Sequence, residues 1–210
     1  MIDSTKVSVG WERLDAINSA DIVSVKTPND FMSKATRIAQ RRAFEDKSWA
    51  SHTGIVTDKH FNKITINEAL WRVEERDLTV YKNKSQVAIT RFPLDDLVLK
   101  YKILDDVRSR IGKKYGWWKL FEHLLGRKEN IENVDRPICS YHVAEAFARS
   151  NIYFLGLPAS YVQPDDILDH CMYNFEDSLV WVDSHKTLDE LVEIYNTDDY
   201  VGELKDKYLQ

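Results

Sequence analysis

The chain has 210 residues, 43% of them hydrophobic, enough for a proper core in one large domain or two small ones and too many for a disordered chain. Its 29 basic and 34 acidic residues leave a formal charge of -5, without the positive excess of a general nucleic-acid binder, so no nucleic-acid partner is expected. No apolar run reaches the roughly 18 residues of a membrane span, and the N-terminal region lacks the basic-then-apolar pattern of a secretory signal; both point to a cytoplasmic protein without a transmembrane segment. Cys139 and Cys171 are too few for a disulfide framework and are expected as free thiols.

In chain order, "DIVSV" (Asp21 to Val25) reads as a short strand. "DFMSKATRIAQRRAF" follows as a helix, with Asp30 as its cap and Phe31, Ala35 and Ile38 at helical spacing. From Ser51 to Phe92 the pattern changes to short β-type runs, "SHTGIV", "FNKITINEAL" and "SQVAITRF", an antiparallel meander or its equivalent. Leu94, Leu97, Val98, Tyr101, Leu104, Val107 and Ile111 then trace one helical stripe, opened by Pro93 with Asp95 and Asp96 and closed by Gly112. A second helix, "WWKLFEHLL", ends at Gly126, and a polar connector leads to "PICSYHVAEAF", whose helix carries Val143, Ala144 and Phe147 on an apolar face. "GLPASYVQPDDIL" reads as loop and "SLVWVD" as a strand. "TLDELVEIY" reads as a helix opened by a Thr187/Glu190 capping box. Helices and strands are segregated, so the class is α+β. No repeat or Pro/Gly-rich linker divides the chain.

Cys139 sits in or just before the first turn of its helix. Unpaired N–H groups and the positive end of the helix dipole there favour thiolate over thiol, and an adjacent imidazolium would favour it further. Such a cysteine can act as a nucleophile at neutral pH. Of six histidines, His60 falls in a turn, and His123 and His185 fall on solvent faces or loops. His52 alone lies on a β-run, followed by the small residues Thr53 and Gly54, which let another backbone approach. The next run ends in "INEAL", placing Glu68 sixteen positions after His52. If the two runs are neighbouring strands, Glu68 can reach the second ring nitrogen of His52, fixing its tautomer and stabilising the imidazolium.

The order of a strand histidine, an acid on the next strand, a long helix, "G-x-x-Y" and a helix-start cysteine resembles the permuted papain-like thiol hydrolases of the NlpC superfamily, YiiX-like branch. The resemblance runs from about Ala16 to Ile167. "INSADIVSV" is similar to the family's opening strand, "SHTGIV" to its histidine strand, "INEAL" to its acid strand and "IGKKYGWW" to its tyrosine motif. "ICSYHVAEAF" is similar to its nucleophile helix and "VQPDDIL" to its closing loop. Two positions depart from the pattern: Ala20 replaces the opening glycine, and Gly116 replaces an acid that often follows the tyrosine.

The resemblance implies a single permuted papain-like domain over 1–210, a small antiparallel sheet or partial barrel packed on helices, with 168–210 as a C-terminal extension. It implies a cysteine hydrolase, an amidase, peptidase or thioesterase-like enzyme without a cofactor. Cys139 would form an acyl-enzyme with His52 as base and Glu68 as orienter, on a small-molecule, peptide or lipid amide or ester. Tyr115 and Ser140 would serve the oxyanion or the substrate, and the Cys139 backbone N–H would help bind the oxyanion.

Taken singly, these residues have plainer roles. A helix-start cysteine is more often packing, a strand histidine a satisfied core group, a strand-end glutamate a surface charge, and Tyr115 with Trp117 and Trp118 aromatic core. Two alternatives follow: a catalytically inactive binding module on the same fold, or a structural domain held by zinc on Cys139, His142, His170 and Cys171. In the plainest case His142 is a partly exposed helix residue.

Overall fold

Alternation of β-branched residues with polar ones builds a sheet whose two faces serve different cores. A computed structural model of the protein describes residues 2–27, 49–116, 138–175 and 177–196. Among these, seven strands form one sheet: β1 (Ser8–Val9), β2 (Ile22–Lys26), β3 (His52–His60), β4 (Lys63–Ala69), β5 (Val73–Asp77), β6 (Gln86–Thr90) and β7 (Leu179–Val182). Their spatial order is β1-β7-β6-β2-β3-β4-β5, antiparallel throughout except for the parallel β1–β7 pair. Helices α1 (Leu97–Ser109), α2 (Cys139–Ala148), α3 (Pro164–Asn174) and α4 (His185–Tyr195) complete the described α+β framework. None of them is long and apolar enough to cross a membrane.

The expected meander is present only in part. β3, β4 and β5 follow one another antiparallel, but β6 pairs with β2, Val23 opposite Ile89 and Val25 opposite Val87. β5, "VEERD", carries four charged residues in five and gives no apolar alternation, so nothing local marks it as a strand. β2 is flanked on both sides, which is why "IVSV" is buried at every position.

On one face of the sheet, Val23, Val25, Val56, Ile66, Val87 and Ile89 pack with Leu14, Leu78 and Trp181. On the other, Ile22 and Ile55 meet Ile103, Leu104 and Val107 of α1, Val143 and Phe147 of α2, and Ile167 of α3. A third cluster seats α4 through Leu188 and Leu191 on Ala88 and Val182.

Several boundaries are corrected. α1 is capped by Asp96, whose side chain accepts from the Val98 and Leu99 N–H groups, and Gly112 follows it at φ 88°. Only Ile103, Leu104 and Val107 of α1 are buried, because its second half alone lies in the core with α2; Leu97, Val98 and Tyr101 of the expected stripe stand exposed. The stretch "QPDD", read as loop, starts α3: Pro164 occupies the first turn, where its missing N–H costs nothing, and Asp166 reaches back to the Gln163 N–H at 2.8 Å. α4 is capped by Ser184, not Thr187. Thr187 lies inside the first turn and donates to Asp183 at 2.6 Å, while Glu190 accepts from Lys26 Nζ at 2.7 Å. Position 168 falls inside α3, and β7, which follows it, lies between β1 and β6. The helix expected from Asp30, the "WWKLFEHLL" helix with His123, and the connector after Gly126 lie outside the described residues.

Candidate active site

α2 begins at Cys139 with Ile138 in extended conformation as its N-cap, so the sulfur sits at the helix start. Burial alone would push the thiol's pKa up. The charge and hydrogen bond of His52, then the N–H groups of Thr53 and Ser140, outweigh it and hold the thiol below its ordinary value. Cys171 is also buried, inside α3, and burial, with the nearby Asp21 charge, pushes it up to about 12. The structure thus separates two cysteines that composition cannot tell apart.

His52 opens β3, and Nε2 of its ring lies 2.7 Å from Glu68 Oε2. That leaves Nδ1 for the hydrogen bond with the Cys139 thiol. Burial disfavours the imidazolium, but the Cys139 thiolate, then Glu68, outweigh it and raise the ring to about 10. Both shifts favour the thiolate–imidazolium form of the pair over the neutral one.

Glu68 stands in β4 directly opposite Gly54 of β3. A Cβ at Gly54 would meet Asn67 O at 3.1 Å and Glu68 Cβ at 3.2 Å, so the absent side chain gives the glutamate its place. The Glu68 carboxylate is fully buried yet lies below its usual pKa. Burial pushes it up, and the hydrogen bond and charge of His52, then Tyr81 and Arg76, pull it further down. The Tyr81 hydroxyl donates to Oε2, and Arg76 Nη1 lies 3.4 Å from Oε1.

Tyr115 reaches the site from a short strand-like pairing in which its N–H donates to Trp71 O at 3.0 Å and Arg72 bridges Lys114. Its hydroxyl accepts from the Cys139 backbone N–H and is hydrogen-bonded to the thiol. Burial, then the thiolate, hold this phenol well above its ordinary pKa. Ser140 is buried, and its backbone N–H is hydrogen-bonded to the Cys139 sulfur.

His142, expected as a partly exposed residue, is fully buried. Its Nε2 lies 2.7 Å from Asn67 Oδ1, and burial, then Arg110, lower it to about 3, so it stays neutral. His170 accepts from the Leu155 N–H at 3.0 Å and stacks on Phe92. His60 ends β3, exposed, rather than lying in a turn, and His185 is the exposed first residue of α4. Cys139, His142, His170 and Cys171 thus have four separate sets of neighbours. Among the described residues no three His, Cys, Asp or Glu side chains converge as a metal site. Tyr81, Arg76 and Asn67 were not legible as site residues in the sequence. Tyr81 follows Glu68 by thirteen residues, across β5, and no periodicity links the two; the one signal for Asn67 was its place beside Glu68 in "INEAL".

No family model matches the sequence. Over 104 residues, 46% of the chain, it is 30% identical to a ferredoxin-dependent glutamate synthase from Cyanidium caldarium. The matched stretch is 6% of the length of that protein.

Proposed function

We propose that the protein is a cysteine hydrolase of the permuted papain-like, NlpC-superfamily type, YiiX-like, acting on an amide or ester carbonyl. One observation carries this reading: Glu68, His52 and Cys139 are joined in series by hydrogen bonds, with the sulfur at a helix start and the ring charged. The fold reading is supported by the same order in space, a histidine strand paired to an acid strand and a cysteine helix packed against them.

In this mechanism the Cys139 thiolate attacks the carbonyl carbon, and the C=O pair moves onto oxygen. That oxygen takes the Cys139 backbone N–H, now held by the Tyr115 hydroxyl, which turns to donate to it. Collapse breaks the bond to the amine or alkoxide, which leaves with the proton of the His52 imidazolium. The neutral ring then takes a proton from water as the water oxygen attacks the thioester. Expulsion of the thiolate frees the acid product and restores the ion pair. Glu68 stays ionised throughout and holds the ring.

Iodoacetamide labelling followed by peptide mass analysis tests the premise. At mildly acidic pH, Cys139 should react far faster than Cys171, and Cys139→Ala should abolish cleavage of acyl or peptidyl probes while leaving the fold intact. Equal or reversed labelling of the two thiols would refute the hydrolase reading.

A further inference from the structure

Glu68 faces a difficulty that His52 alone does not resolve. A fully buried carboxylate can relieve itself by taking a proton or by turning its oxygens toward another donor, and either event would unseat the ring. Two side chains that play no part in the bond changes close both routes. The turn Leu78–Tyr81 is fixed by Asp77, which accepts from Thr79 N at 2.9 Å and Thr79 Oγ1 at 2.7 Å. That turn packs Tyr81 into the core with Leu78 and Val25, its ring centroid 6.4 Å from that of His52. Its hydroxyl donates to Oε2, the same oxygen that meets His52 Nε2. Arg76 approaches the other oxygen from β5.

We infer that Tyr81 is a positioning residue for the reaction, clamping Glu68, with Arg76 on the opposite oxygen, as a carboxylate aimed at His52. The inference rests on the hydrolase reading. Tyr81 remains a neutral donor, because burial, then the neighbouring Glu68 charge, hold its phenol well above the ordinary value. Its effect travels through Glu68 to the ring and through the ring to the sulfur. Loosening Glu68 weakens the imidazolium, and a weaker imidazolium lets the Cys139 pKa climb.

The test is the pH profile of Cys139 alkylation by iodoacetamide in wild type, Tyr81→Phe, Glu68→Gln and the double variant, with Cys171 as internal control and circular dichroism to check folding. Tyr81→Phe should move the Cys139 midpoint up by about one pH unit, slowing alkylation roughly tenfold at pH values below the wild-type midpoint. In the Glu68→Gln background the same change should do almost nothing, since its route is already cut. Arg76→Gln, at a side chain only 66% covered by the protein and so tolerant of change, should shift the midpoint in the same direction and decides the matter if Tyr81→Phe fails to fold. A wild-type midpoint that is low and indifferent to both substitutions would overturn the clamp alone. So would a Tyr81→Phe shift that persists in full beside Glu68→Gln. An ordinary midpoint in wild type would instead sink the hydrolase reading, and this one with it.

Discussion

Cys139 and His52 form an ion pair whose protons are exchanged relative to the unfolded chain, and that exchange leaves a signature in stability as well as reactivity. Unfolded, the imidazole titrates near 6.5 and the thiol near 8.5. Folded, the ring is raised to about 10 and the thiol is lowered. Where the lowered thiol lies below the unfolded imidazole, both states hold one proton on the pair between about 6.5 and 8.5, and its contribution there is at its full value and flat. Below that window the unfolded chain binds the extra proton, and stability falls as pH drops through the lowered thiol value. Above it the folded state holds the extra proton, and stability falls as pH rises through about 10. The melting temperature of wild type minus that of Cys139→Ala should therefore be most positive on this plateau and shrink on both sides. A difference independent of pH would show that the sulfur is an ordinary thiol.

Pairing of β3 with β4 converts a sequence separation into a contact. His52 and Glu68 are not directly opposed; Glu68 faces Gly54, and the empty Cβ position lets its side chain lean back to the ring. Gly54→Ala should push β4 outward, costing about 1–3 kcal/mol as overpacking does, and should slow Cys139 alkylation at pH 6 by displacing the carboxylate. Calorimetry with the labelling assay checks both effects; a stable variant with unchanged labelling would remove Gly54 from the site. The residues of this contact were legible in "SHTGIV" and "INEAL" because strand periodicity and small residues are local signals. The helix start at Cys139 was legible for the same reason. Tyr81 was not, because a one-turn helix between β5 and β6 brings it to Glu68 by a tertiary route. α3 was lost to a local ambiguity, since proline and aspartate serve loops and first helical turns alike.

At the scale of the whole sheet, five of the seven described strands were legible, while β1, β5 and the strand order were not. "SQVAITRF" reads as a strand anywhere, but its pairing with β2 instead of β5 joins positions sixty or more residues apart and has no local signal. The parallel β1–β7 contact joins positions more than 170 residues apart, Ser8 beside Trp181, and no local pattern encodes it. The resulting order leaves β1 and β5 as the outer strands, and each discourages uninvited company. β1 offers two residues, too few to template another chain. β5 presents Glu74, Glu75, Arg76 and Asp77, and its first residue is already engaged by Lys113 and Gly112. Charge on an outer strand is a safeguard against ladder growth between copies, so the Glu74→Val, Glu75→Val double variant should scatter light increasingly with protein concentration where wild type does not. Unchanged scattering would assign the acids another purpose. The strand that supplies Arg76 to the buried glutamate would then, by its remaining charges, also keep neighbouring molecules from zipping into fibrils.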